Sequence, residues 1–325
     1  MPVLFNYKGS AMKRIASFLL TAAALVCLSA SAFASEKTLR ICYVKSPFNL
    51  QHIVMKERGI LEKHMEKLGV SVKWYDINSG ATQAQAMASG DLDVSGVMNS
   101  TSALIANGEG NPVKVVAGVS RPLEVFGIVA RKGGVQNIAD LKGKTVAGPK
   151  GTVLHQILVS ALKANGLSSK DVKFVQMGIA KGVAAMKNGS VDAALVAANF
   201  LINCANEGDT VLATAKGYAV PKLMMTASER FIKEHPDRLA AVLAAHEEAT
   251  QWMENNHDEA IAIGAKEQGI SLADAEKLFN WTVFVRRFDE NDLKSMEDDQ
   301  QFLLDNGLMR NRVDIRSMFL PSALK

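Results

Sequence analysis

The chain has 325 residues, with 37 Lys+Arg against 33 Asp+Glu, 48% hydrophobic, 22% charged and 6% aromatic residues. This balance excludes a disordered polyelectrolyte and gives enough apolar content for a large core, at a length that allows two domains. The first 34 residues hold Lys8, Lys13 and Arg14 and no acid, so without them the formal charge drops from +4 to +1, which supplies no clustered cations for nucleic acid.

Lys13-Arg14 precede an apolar run, Ile15 to Ala30, and then Ala32-Phe33-Ala34. A basic segment, a greasy segment and an A-x-A site are the order of a cleaved export signal over 1–34. Met12 is a second candidate start, and Val26 ahead of Cys27 is a poor residue before a lipidated cysteine. The run is short for a membrane span of about 20 residues. Cys42 and Cys204 lie far apart in sequence, a pattern of small buried hydrophobes rather than a disulfide framework.

Leu39 to Val44 reads as a buried strand, followed by a helix over about 50–68 that stops at Gly69. Val70 to Ile77 alternates like a strand, Ser79-Gly80-Ala81 is a turn, and Thr82 to Ser89 is a helix stopped by Gly90. Leu92 to Val97 is a strand, Thr101 to Ala106 a helix, and Val113 to Val119 and Val125 to Ala130 are strands. Lys144 to Ala147, Thr152 to Asn165, Val172 to Met177, Lys181 to Lys187 and Val191 to Ala197 continue the alternation. From Ser228 the chain is mostly helical, with Pro236 placed to open a long helix. Short apolar strands alternating with helices predict an α/β fold of mainly parallel sheet flanked by helices. Ala86-Met87-x-x-Gly90-x-x-Asp93 recurs as Ala185-Met186-x-x-Gly189-x-x-Asp192. With the same element order around both copies, this suggests two similar lobes, each Asp bracing a strand start.

Open α/β sheets bind ligands at the carboxyl ends of their strands. The loops there predict a ligand site from Ser46, Phe48, Asn49, Gly80, Thr82, Asn99, Ser100 and Thr101 in the first lobe. In the second they add Gly151, Thr152, Val153, His155, Lys181 and Asn199. Most are small or polar and stand directly before a helix, whose first N–H groups and partial positive charge suit an anion. Thr82, Thr101 and Thr152 read equally as helix caps, Lys181 and Arg121 as solvated charges, and His155 as a core or surface residue. Enzyme signatures are incomplete. Gly143-Lys144-Thr145 has the tail of a phosphate loop, but Ile138 stands where its first Gly is needed, and Thr250 replaces the second His of H-E-x-x-H after His246-Glu247. No C-x-x-C and no G-x-S-x-G occurs.

Five segments carry a resemblance. Met87 to Val94 (MASGDLDV) is similar to "ALASGELDV", Ile138 to Val146 to "I-x-D-L-K-G-K-x-V", and Gly151 to His155 to a G-S/T-x-x-H ligand loop. Asn188 to Ala193 is like "G-x-V-D-A", and Ala227 to Pro236 resembles the opening of a C-terminal helical segment. In this order they resemble the substrate-binding proteins of ABC importers, of the nitrate, taurine and aliphatic-sulfonate type that also includes thiamine-precursor binders.

That resemblance implies a hinged, two-lobed periplasmic-binding-protein fold (type II). One lobe would be 35–122 plus 222–325, carrying the C-terminal helices, and the other 123–221. It implies a monomeric, non-enzymatic binder without a cofactor or metal, exported to the periplasm. Its partners would be a small-molecule ligand and an ABC permease in the inner membrane. A cation at Lys181 favours a small anionic organic compound, sulfonate-, taurine- or nitrate-like. A thiamine-precursor pyrimidine or other heterocycle, a periplasmic enzyme, and a sensor remain alternatives.

Overall fold

The structure is a computed structural model that describes residues 37–325; the segment 1–34 expected to be an export signal, with Met12 and Cys27, lies outside the described residues. In chain order it contains β1 (Thr38–Tyr43), α1 (Leu50–Glu57), α2 (Ile60–Glu66), β2 (Ser71–Asp76), α3 (Gly80–Ser89), β3 (Val94–Asn99), α4 (Ser100–Gly108), β4 (Lys114–Pro122) and β5 (Phe126–Ala130). It continues with β6 (Thr145–Gly148), α5 (Val153–Ala164), β7 (Lys173–Gln176), α6 (Ile179–Lys187), β8 (Ala193–Ala197), α7 (Asn199–Asn206), β9 (Thr210–Thr214) and β10 (Leu223–Ala227). The remainder is α8 (Glu229–Glu234), α9 (Pro236–Asn255), α10 (His257–Gln268), α11 (Leu272–Asn280), β11 (Thr282–Phe284) and α12 (Glu290–Asp305).

Two mixed sheets result, ordered β11-β4-β10-β3-β1-β2 and β7-β6-β8-β5-β9. In the first, β1 pairs parallel with both β2 and β3, while β10 runs antiparallel between β3 and β4. In the second, β6 pairs parallel with β7 and β8, and β5 runs antiparallel between β8 and β9. Each sheet is therefore parallel through its βα units, and the strand received from the other sheet (β10 or β5) is inserted against the grain. The chain passes between sheets twice, from β4 to β5 and from β9 to β10. Burial follows strand position. The all-apolar strings of β5 and β8 are buried at every residue, as strands covered on both faces must be. Edge strand β2 alternates between exposed and half-buried residues.

The predicted helix over 50–68 is two helices. Gly59 adopts φ 61°, the left-handed region open to glycine at little cost, and turns the chain between α1 and α2. The internal echo is real in three dimensions. Gly90 and Gly189 take φ 83° and 80° at the ends of α3 and α6. Asp93 Oδ2 accepts the Arg40 N–H of β1 at 2.8 Å, and Asp192 Oδ2 accepts the Thr145 N–H of β6 at 2.8 Å. Each carboxylate thus ties together the starts of two parallel neighbours, as expected from their place at strand starts.

Pro236 opens the 20-residue α9, which packs on α1 and α2, while α12 packs on α4. The C-terminal helices therefore cover the first sheet's helical layer. Cys42 and Cys204 are buried free thiols. Among the described residues no helix is long and apolar enough to cross a membrane.

Candidate functional site

A cavity of about 1060 Å³ opens at the carboxyl ends of strands from both sheets. Ser79, Gly80, Ala81 and Thr82 bring the start of α3 to its wall, and Asn99 brings the start of α4. Gly151 to Leu154 (α5), Gly178 to Lys181 (α6) and Asn199 with Phe200 (α7) supply the opposite wall. Five helix N-termini thus share one space, each with N–H groups that lack intrahelical acceptors. Two are capped internally: Ser79 Oγ accepts the Thr82 N–H at 3.4 Å, and Asn99 Oδ1 accepts the Ser102 N–H at 2.8 Å. The starts of α5, α6 and α7 have no side-chain cap. At α7 the cap position is Ala198 with φ 51° and ψ −125°, the one non-glycine residue of positive φ among those described. Such conformations persist where the surroundings enforce them; here the Ala198 N–H is held by Val125 O at 2.8 Å.

Lys45, Lys150 and Lys181 also line the cavity. All three are exposed, and the ion pairs found among the described residues involve none of them. Asp76 and Glu267 are the lining acids, and Glu267 is engaged by the Tyr43 hydroxyl at 2.6 Å and by Lys56 Nζ at 3.7 Å. The floor is apolar: Phe48 from the first sheet's side and Phe126 of β5 have ring centroids 5.5 Å apart, and Phe200 and Ile179 extend the surface. A smaller recess of about 450 Å³, with Glu109 and Arg310 at its edge, adjoins at Lys150, Gly151 and Gln176.

Ser46, Phe48, Gly80, Thr82, Asn99, Gly151, Thr152, Val153, Lys181 and Asn199 are thus brought together on the lining, as the loop argument expected. Asn49, Ser100, Thr101 and His155 are not. Asn49 is fully buried and donates to Val44 O at 2.8 Å. Ser100 donates its N–H to Lys222 O at 2.8 Å, and Thr101 donates its hydroxyl to Gln156 Oε1 at 2.6 Å. These residues face adjoining structure because a helix turns its first residues through successive directions. His155 stacks on Phe174 with centroids 4.5 Å apart, and its Nδ1 accepts the Gly151 N–H at 3.4 Å. Burial first, and Lys150 second, push its pKa down to about 4, so it is a neutral brace for the Gly151 loop. Arg121 is bound to Asp292 at 2.8 Å through Nε, away from the lining.

The sequence reading missed Lys45, Phe126, Gln176, Phe200, Glu267 and Gln268. Lys45 and Phe200 flank loops already selected and were legible as neighbours. Glu267 and Gln268 sit at the end of α10, far from any strand terminus in sequence, and had no local signal.

The close approach of α3 to α4 makes a direct prediction. A Cβ on Gly80 would lie 2.5 Å from Ser102 Cβ, whereas one on Gly178 would meet nothing within 4 Å. Gly80→Val should lower stability by about 1–3 kcal/mol through overpacking, and Gly178→Ala should not; urea denaturation of both variants measures the difference.

The family described as NMT1/THI5 like matches residues 63–260. A Bacillus subtilis protein named for aliphatic sulfonate binding is 27% identical over 281 residues, spanning 84% of each chain. The alkanesulfonate-binding protein SsuA of Xanthomonas axonopodis pv. citri, solved bound to MOPS, superimposes with a TM-score of 0.78 at 21% identity, over 87% of this chain and 98% of that one. The desulfurization enzyme DSZB shares the fold at a TM-score of 0.68 and 17% identity, over 88% and 96%.

Proposed function

The chain belongs to the NMT1/THI5-like family, and from that premise we propose that it is the substrate-binding component of an ABC importer for a small organic anion of the sulfonate class. One observation carries the reading: five helix N-termini and three lysines outside any ion pair among the described residues surround one cavity with an apolar floor. Oriented N–H groups and a positive field hold an anionic head without a metal. The phenylalanine floor then accepts an organic body. The curated relative's name and the MOPS-bound neighbour support the same chemistry.

In this reading 35–122 and 222–325 form one lobe, 123–221 form the other, and the crossings near Phe126 and Leu223 are the hinge. Closure would remove water from the head group, so each charge-assisted hydrogen bond contributes about 1.5–3 kcal/mol. Several of them, after ordering costs, reach a micromolar Kd, about −8 kcal/mol. The closed form would present both lobes to a permease in the inner membrane, the protein having been exported by its first 34 residues to the periplasm, where it works as a monomer. No covalent step is part of this function.

Thermal unfolding of the mature chain with hexanesulfonate, taurine, nitrate and a thiamine-precursor pyrimidine tests it. A sulfonate at 100 times its Kd should add about 2.7 kcal/mol of stability, and mass spectrometry should recover it unchanged. Lys181→Ala should weaken its binding about tenfold, the equivalent of about 1.4 kcal/mol. Stabilisation by the pyrimidine alone, or conversion of the sulfonate, would reject the proposal.

A further inference from the structure

Behind the cleft floor a chain of polar side chains joins elements of both sheets. Thr101 of α4 donates to Gln156 Oε1 at 2.6 Å, and Gln156 Nε2 of α5 donates to Asp299 Oδ1 of α12 at 2.7 Å. Asp299 Oδ2 lies 3.5 Å from Lys222 Nζ, which also donates to Ser295 Oγ at 2.8 Å. Thr101, Gln156 and Lys222 are 1%, 3% and 0% exposed. Lys222 stands immediately before β10, where the chain returns to the first sheet, and its carbonyl holds the Ser100 N–H at the start of α4.

We propose that Gln156 is a positioning residue for ligand capture. Its carboxamide fixes the start of α5, on one side of the cleft, against the start of α4 and the Lys222 crossing on the other. The chemistry suits that task. Within this four-residue network Gln156 is the member that joins the second sheet's side to the first, accepting from one neighbour and donating to another, so its amide has one orientation that satisfies both. A buried polar network that is fully paired specifies one arrangement and strongly disfavours shifted ones. Thr101 and Gln156 do not line the cavity, so they act on a ligand only through the spacing of the helix starts that do. The inference rests on the two-lobed binding reading for its purpose, while its mechanical part is testable without any ligand.

The experiment is an inter-sheet distance measurement by spin labels at Lys63→Cys, exposed on α2 beside the first sheet, and Lys170→Cys, exposed in the turn that leads into β7 of the second. It is made on the ligand-free chain and again with hexanesulfonate, beside calorimetry. Gln156→Leu should broaden the distance distribution. It should also weaken hexanesulfonate binding within the range of about 5–150-fold typical of coupled sites, chiefly through a faster koff. Thr101→Val, which removes the other bond of Gln156 and leaves Asp299 paired with Lys222, should broaden the distribution and weaken binding in the same direction. A Gln156→Leu protein with the parental distribution and affinity, even if its Tm falls, would overturn the positioning role. Absence of hexanesulfonate binding in the parent would count against the sulfonate reading alone, leaving the distance result to decide this one.

Discussion

Replacing Lys222 with Met should lower stability by about 3–5 kcal/mol, the usual consequence of stripping one partner from a buried ion pair. For a chain of this size that is a Tm decrease of the order of 10 °C. Lys222 is wholly buried, with Asp299 only 13% exposed beside it. Burial is the first cause of both pKa shifts: it pushes Lys222 down, and it pushes Asp299 up despite the cation's opposite pull. Desolvation therefore outweighs attraction, and the pair is held by its surroundings rather than holding them. Two further outcomes follow. Lys222→Met combined with Asp299→Asn should recover most of the loss, because no uncompensated charge remains. In Lys222→Met alone, Asp299 should favour its protonated form more strongly in the native state than in the unfolded one. The deficit relative to the parent should then grow with pH above the parent's own Asp299 pKa, which burial already holds above the unfolded value of about 4. Denaturant titrations of the three variants at pH 5 and pH 8 check this, and a double variant as unstable as the single one would contradict it.

The second large effect is acid sensitivity above the pH where carboxylates titrate. His52 of α1 and His246 of α9 are buried and stacked, with centroids 4.9 Å apart. Burial, and then the neighbouring ring, hold His52 well below the ordinary imidazole range. Burial pushes His246 down to about 4, and His155 likewise to about 4. In the unfolded chain these groups protonate near 6.5. Below that pH the unfolded state binds more protons than the native one, so stability is lost as pH falls from about 6.5 to about 4, and the dependence flattens below the native pKa values. Each histidine contributes up to about 1.4 kcal/mol per pH unit. By pH 5 His246 and His155 together remove about 4 kcal/mol, and His52 adds to the loss in the same direction, a sum comparable to the whole stability of many domains. Urea midpoints between pH 7 and 5 should fall steeply, and His52→Gln combined with His246→Gln should flatten that slope even though lost packing lowers stability at pH 7. An unchanged slope would show that these rings are not the titrating groups.

The sequence carried the alternation of strands and helices, because apolar runs bounded by glycine are local signals that do not depend on what packs against them. It carried the loops of the cleft for the same reason: Gly80, Thr82, Asn99, Gly151, Thr152 and Lys181 sit at strand ends before helices, and strand ends in parallel units converge. The motif order from Met87 to Pro236 identified the family, whose match over residues 63–260 is independent of the loop argument. What the residues could not disclose was direction. Thr101 and Thr152 look alike as hydroxyls opening helices, yet Thr152 lines the cavity while Thr101 is turned onto Gln156. His155 occupies a ligand-loop position and instead stacks on Phe174 of a neighbouring strand.

Tertiary structure alone decided those rotations, since they depend on which element each helix leans against. It also decided the antiparallel insertion of β5 and β10, which follows from the chain crossing between sheets rather than from any strand's own pattern. The buried Lys222–Asp299–Gln156–Thr101 chain belongs to the same class. Its members come from an interval of 198 positions in the sequence. A lysine reads as solvent-exposed until the fold removes its water and leaves a carboxylate, a hydroxyl and a carbonyl as its partners.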